Sequence, residues 1–203
     1  MIVARIASGE DHSHKQSSHP TIFHEVLQSD LPPQEKTLRR LGDEAQTVIG
    51  AGLETTAWAL TTGSFYIIND PRVHERLCEE LCQAIPDPSA PLELAQLEKL
   101  PYLKACIQES IRMSYGVSAR NQRVIQKSTN YKDWVIPAYT PVSMTTVDVH
   151  HDENIYPDSH SFIPERWLGN PRAPNGSPLD RYFVAFGKGN RSCLGIKYTF
   201  PFP

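Results

Sequence analysis

The chain has little that a disulfide framework would need. Its four cysteines, Cys78, Cys82, Cys106 and Cys193, include no C-x-x-C pair, and paired spacing of that kind marks small oxidised scaffolds. The opening "MIVARIASGEDHSHKQ" has an apolar stretch too short and too interrupted for a signal peptide. Long apolar runs are missing too. The nearest, "TVIGAGLETTAWAL", carries Glu54 and three threonines, which rules it out as a membrane span. As written, the chain reads as soluble or peripheral. Charge of one sign is also lacking: 20 basic against 23 acidic residues leave a net charge of -3. That balance gives no electrostatic case for nucleic-acid binding. Internal repeats are absent, and so is the G-x-x-x-x-G-K-[ST] order of a phosphate loop.

What is there suits a folded domain. Hydrophobic residues make up 39% of the 203 positions, enough for a core in one ordinary domain or in part of a larger one. The His-rich opening, with His12, His14 and His19, reads as a solvated loop without regular ligand spacing, and residues 1–20 are expected to be flexible. Leu38, Leu41, Ala45, Val48, Ile49, Leu53 and Ala57 recur at helical steps, predicting one long helix that ends before Pro71. Asp70 should cap the next helix, with Pro71 at its first position. "PRVHERLCEELCQAI" reads as an amphipathic helix, "LELAQLEKL" as a short one, and "PYLKACIQESIRMSYG" as another closed by Gly116. Cys78, Cys82 and Cys106 fall inside these patterns and read as small buried apolar residues. From Arg123 to Asp152 the texture becomes rich in Val, Thr, Tyr and Ile, which predicts short strands. A Pro/Gly/Asn-rich meander follows. The order argues for a mainly α fold with a small β portion, an α+β arrangement.

Three groups of residues could carry chemistry. In the long helix, Gly50, Ala51 and Gly52 precede Glu54 and Thr55. The two glycines weaken the helix by about 1 kcal/mol each and permit close approach to its backbone. Glu54 beside the Thr55 hydroxyl could relay protons, or Thr55 could simply bond back to its own turn. Glu109 and Arg112 share a helix face at i,i+3; a surface ion pair is the default, and Arg166 in "FIPERW" would share the carboxylate of a buried one. The third group is "FGKGNRSCLG". Gly187, Gly189 and Gly195 permit positive φ and close approach to a flat object, Phe186 supplies an aromatic wall, and Arg191 stands two residues before the thiol of Cys193. No second Cys or His lies at zinc spacing. A catalytic cysteine would want a nearby histidine, which the sequence does not indicate. A haem axial ligand suits the combination best.

"FGKGNRSCLG" resembles F-x-x-G-x-R-x-C-x-G, the haem-ligand signature of the cytochrome P450 family. "AGLETT" resembles that family's oxygen-binding helix motif, "ESIR" its E-x-x-R and "PERW" its P-E-R-[FW], all in the family's order from about Thr21 to Gly195. The flavour is similar to fungal members of secondary-metabolite pathways. The resemblance implies haem b with Cys193 as axial thiolate to iron, Arg191 and Arg123 on the propionates, and Phe186 shielding the sulfur. Thr55 and Glu54 would deliver protons to O2, and Ala51 and Gly52 would leave it room. Glu109, Arg112 and Arg166 would form a buried structural triad. The implied reaction inserts one oxygen atom of O2 into a small lipophilic substrate, with electrons from NADPH through NADPH-cytochrome P450 reductase. Full-length relatives of this kind are tethered to the endoplasmic reticulum membrane. The whole chain, 1–203, would then be an incomplete, C-terminal part of the P450 fold. "KYTFPFP" cannot continue the helix expected after the cysteine loop. The isolated chain is accordingly also readable as a truncated or mis-spliced product without activity.

Overall fold

A computed structural model describes Ser8, residues 22–89 and residues 91–196. The expectations for residues 1–20 and for "KYTFPFP" lie outside these. The chain divides into two compact units, residues 1–54 and 55–203.

In the first unit, helix α1 (Ile22–Gln28) is closed by the Lys36 ammonium, which donates to the Leu27 carbonyl at 3.2 Å and also to that of Ser29. A cation on the last carbonyls of a helix satisfies acceptors the helix cannot. A short 3₁₀ turn, Pro33–Lys36, leads into α2 (Leu38–Asn69), where Thr37 Oγ1 accepts from the Arg40 N–H. Leu41 is buried at 1% exposure, whereas Ile49 and Leu53 are 66% and 68% exposed. The helical period is right, but only part of the stripe meets a partner within the described chain.

The second unit holds the rest of α2, then α3 (Pro71–Ala84), α4 (Leu94–Leu97) and α5 (Pro101–Ser114). Asp70 caps α3 by accepting from the Arg72 N–H at 3.0 Å, with Pro71 at the first helical position, as the sequence predicts. Helix α5 lacks a side-chain cap of its own. Glu80, from α3, substitutes: its carboxylate accepts from the N–H groups of Tyr102 and Leu103, both at 2.8 Å. An acid at that end also opposes the positive pole of the helix.

Helix α5 is the centre of this unit. Tyr102 and Cys106 pack with Val73 and Leu77 of α3, while Ala105 packs with Tyr156, Trp167, Ala173 and Leu179. Gly50 and Gly52 leave the surface of α2 open among the described residues, and a close approach to another helix falls on a different glycine. A Cβ at either would meet nothing within 4 Å among the described residues, whereas one at Gly63 would come within 2.9 Å of Ser110 Cβ. Gly63 is therefore where α2 and α5 come close. Helix α5 ends with Tyr115 in the left-handed conformation (φ 66°) followed by Gly116 (φ 61°). The reversal thus begins one residue before the glycine expected to close the helix.

Strands are few: β1 (Arg123–Val124) pairs antiparallel with β4 (Pro141–Val142), and β2 (Thr129–Tyr131) with β3 (Trp134–Ile136). The strand-like texture continues through "TTVDVHHD", yet Thr146–His150 is helix α6. Thr145 Oγ1 accepts from the Val147 N–H at 3.3 Å, and Asp148 sits in the first turn. Capping outweighs the β-branched composition there. The meander beyond α6 is built of turns and the 3₁₀ segments Pro164–Trp167, Leu179–Tyr182 and Gly189–Arg191. Cys106 is buried as expected, but Cys78 and Cys82 are exposed. Both lie outside the face of α3 that buries Val73 and Leu77. No described helix is long and apolar enough to cross a membrane.

Candidate functional site

The loop that carries Cys193 is folded back on itself. The Gly187 N–H donates to the Val184 carbonyl at 2.8 Å, that of Ser192 to Gly189 at 3.0 Å, and that of Cys193 to Phe186 at 2.8 Å. Gly187 and Gly189 take φ of 68° and 76°, a region open to glycine at no steric cost. Gly195 does not: it has no positive φ, and its place is beside the thiol, where a Cβ would lie 3.7 Å from Cys193 Sγ.

Above this loop is a cavity of about 300 Å³ within the second unit. Thr55 and Ala59 from α2, Ile111 from the end of α5, and Val117 and Phe186 give it a largely apolar wall. Three groups of another kind face it: the guanidinium residues Arg123 and Arg191, and Cys193. Gly116 is part of the rim, and a Cβ there would sit 2.6 Å from the Ala185 carbonyl oxygen. The turn after α5 and the segment leading to the thiol loop therefore touch backbone to backbone. Trp58 Nε1–H donates to the Ser114 carbonyl at 3.2 Å, tying α2 to the end of α5.

Six expected site residues thus meet around one space: Thr55, Arg123, Phe186, Gly187, Arg191 and Cys193. Ala51, Gly52 and Glu54 belong to the first unit, in the part of α2 that leads to Thr55. Gly189 and Gly195 flank the thiol in sequence without lining the cavity.

The carboxylate of Glu109 collects a second, buried group. It accepts from Arg112 Nε and Nη2, both at 2.8 Å, and from Arg166 Nε at 3.0 Å. The Ile163 N–H (2.9 Å) and Trp167 Nε1–H (2.8 Å) complete the set. Side-chain exposure is 0% for both Glu109 and Arg112 and 10% for Arg166. Burial alone would push the Glu109 carboxyl up, but the two guanidinium groups and the Ile163 N–H reverse that and hold it below the ordinary range. Arg112 spends its remaining donors on the carbonyls of His150, Ser159 and Ser161. Five donors all find acceptors, the condition under which a buried guanidinium is tolerated.

This group reaches the thiol loop through aromatic contacts. Trp167 packs edge-on to Phe183 at 5.3 Å, and Phe183 packs on Phe186 at 6.1 Å. His150, which carries no cue in the sequence, adds a second link. Its Nδ1 lies 3.0 Å from the Arg112 carbonyl, and its Nε2 accepts from the Val184 N–H at 3.3 Å. Only the neutral ring protonated on Nδ1 can do both. Trp167 stood in "PERW" without an assigned role, and only the tertiary structure shows that it donates to Glu109.

Burial lowers the His150 pKa from an ordinary 6.5 to about 4. The unfolded chain therefore binds this proton first. The stability His150 contributes is complete above pH 6.5 and is lost as pH falls toward 4, by up to about 3 kcal/mol. Urea unfolding of parent and His150→Gln across that range should show a smaller acid loss in the variant; equal losses would remove His150 as the cause.

Comparison with known proteins gives a consistent picture. The family model for cytochrome P450 matches residues 5–197. The chain is 55% identical over 185 residues to the cytochrome P450 monooxygenase sdnE of Sordaria araneosa, covering 90% of this chain and 36% of that protein. It is 48% identical to the cytochrome P450 monooxygenase MO6277 of Ascocoryne sarcoides, covering 87% and 34%. With astB of Talaromyces wortmannii the identity is 43%, covering 98% and 40%. The chain thus spans little more than a third of the length of these relatives. Among solved structures, the retinoic acid-bound cyanobacterial CYP120A1 shares the fold, with a TM-score of 0.76 and 24% identity over 97% of this chain and 45% of that one.

Proposed function

Because this chain belongs to the cytochrome P450 family, whose prosthetic group is haem, we propose that it is the part of a haem-dependent monooxygenase that holds the group. The enzyme would insert one oxygen atom of O2 into a lipophilic organic substrate in fungal secondary metabolism. The observation that carries this reading is the convergence of one thiol and two guanidinium residues on a largely apolar cavity.

The donor set suits the group. Among the described residues no three His, Cys, Asp or Glu side chains converge. An iron held at Cys193 must therefore bring most of its ligands with it, as a porphyrin does. Haem, when bound, supplies the iron at which O2 is activated. Cys193 would ligate that iron as a thiolate, and Arg123 and Arg191 would pair with the carboxylate edge. Phe186, on the same cavity wall as Cys193, would cover the sulfur once the group is in place and so conserve its donor strength. The Thr55 hydroxyl, on the cavity wall, would hold a proton, with Glu54 as its source from the preceding residue of α2. Ala51 and Gly52, which carry at most a methyl group, would leave room for O2. Glu109, Arg112 and Arg166 act as positioning residues: through Trp167 and Phe183 they fix Phe186, and with it the thiol loop. Electrons would come from NADPH through a separate reductase.

The test is uptake of haem by the purified chain, followed by the absorption spectrum of its reduced, CO-bound form. The long-wavelength Soret band of a thiolate-ligated carbonyl complex is the expected result. Failure to take up haem, or a band of the imidazole type, would overturn the assignment.

A further inference from the structure

We propose that the exposed face of α3 carries a metal-chelating pair, His74 and Cys78, for a thiophilic divalent cation of the zinc type. The two residues are i and i+4 on one helix and both are exposed. Cys78 Sγ lies 3.8 Å from His74 Nε2 and 3.9 Å from Nδ1. A tetrahedral ion with metal–nitrogen and metal–sulfur bonds of about 2.0 and 2.3 Å separates those two ligand atoms by about 3.5 Å. The ligand atoms thus lie within a few tenths of an ångström of a chelate bite, and rotation of the exposed imidazole would aim one nitrogen at the ion.

The backbone beneath the pair is fixed. Asp70 caps α3 just ahead of His74, Val73 and Leu77, each next in sequence to one of the pair, anchor an adjoining face in the core, and Glu80 grips the start of α5. Binding needs no loop to close. Glu75 and Glu79, each next in sequence to one ligand, are exposed and add negative charge that favours a cation. Chemistry narrows the ligand. Thiolate with imidazole selects borderline and soft ions, whereas magnesium and calcium want oxygen. On binding, the Cys78 thiol gives its proton to solvent and forms the metal–sulfur bond, and neutral His74 donates a ring-nitrogen lone pair. Water completes the coordination.

Cys82 is exposed one turn further on. It stands eight residues from His74, about 12 Å along the axis, too far for the two to share an ion. A site built on Cys82 would be a dithiolate with Cys78, and the test separates the two.

The full-length chain is titrated with Cd2+, a spectroscopic stand-in for Zn2+, and read by thiolate-to-metal charge-transfer absorption. Parent, His74→Ala, Cys78→Ala and Cys82→Ala are compared, each first shown by circular dichroism to be folded. Cys193 is also exposed and contributes equally to all four, so differences between them report α3 alone. The α3 component is expected to vanish in Cys78→Ala and to persist in Cys82→Ala. In His74→Ala it should weaken by more than the roughly 10–100-fold that loss of an outer-shell partner costs. An unchanged titration in Cys78→Ala or His74→Ala overturns the proposal, as does loss of the component in Cys82→Ala. None of these outcomes bears on haem binding at Cys193.

Discussion

Glu109→Gln should lower the unfolding free energy by about 3–5 kcal/mol, the usual result of stranding one member of a buried ion pair. The substitution keeps the shape of the side chain and removes its charge. Arg112, at 0% exposure, would be left with a full positive charge in the core and without its counter-ion. Five donors converge on the Glu109 oxygens. A glutamine amide offers them one acceptor oxygen and sets an NH2 group against the rest. Arg166→Gln makes the internal comparison. Its side chain is 10% exposed, and it leaves the Glu109–Arg112 pair intact. Its cost should be smaller, about 1–2 kcal/mol. The measurement is urea unfolding at neutral pH, with Trp fluorescence as the probe because Trp167 donates directly to Glu109. A loss below about 1 kcal/mol for Glu109→Gln would show that the buried charge is relieved by solvent or rearrangement.

The pair itself was half legible. Spacing of i,i+3 puts Glu109 and Arg112 on one face whatever the fold, so that contact is local and readable. Its burial is not local. It depends on the carbonyls of His150, Ser159 and Ser161, 38 to 49 residues away along the chain. No pattern in "VHHDENIYPDSHSF" marks those carbonyls as acceptors. His150 escaped notice for the same reason: a histidine shows its role only through the atoms that face its two nitrogens.

Periodicity was a good guide to helices and a poor one to partners. The long helix α2 was predicted from its apolar steps, yet Leu41 is buried while Ile49 and Leu53 on the same pattern are exposed. Cys78 and Cys82 were misjudged because cysteine was treated as a small apolar residue by type. On α3 the angular position decides instead: Val73 and Leu77 take the inner face and the thiols do not. At "TTVDVHHD" the composition favoured a strand, but one threonine hydroxyl at the N-cap started a helix. Glycines show the same dependence on partners. Gly50 and Gly52 are conspicuous as a pair, whereas the close contact with Ser110 falls on the solitary Gly63. The cavity was the most legible part, since two motifs supplied most of its chemistry, and the fold brought five of their residues, together with Arg123, to one space.

Cys193→Ala should abolish the thiolate-type spectrum altogether while leaving the unfolding free energy within about 0.5 kcal/mol of the parent. The two halves of that expectation rest on different observations. Cys193 is exposed, so removing its sulfur opens no core cavity. What shapes the loop is backbone: the Cys193 N–H to the Phe186 carbonyl and the Ser192 N–H to Gly189. Alanine keeps both. The same exposure means that the sulfur's contribution is chemical, as the one group on the cavity able to bond a soft metal centre. Loss of the band with stability unchanged would place Cys193 in the ligating role. Loss of both would make it a structural residue instead. Persistence of the band would move ligation to another thiol, and Cys78→Ala then becomes the deciding variant, because Cys78 and Cys82 are the other exposed thiols among the described residues while burial pushes Cys106 up to about 12.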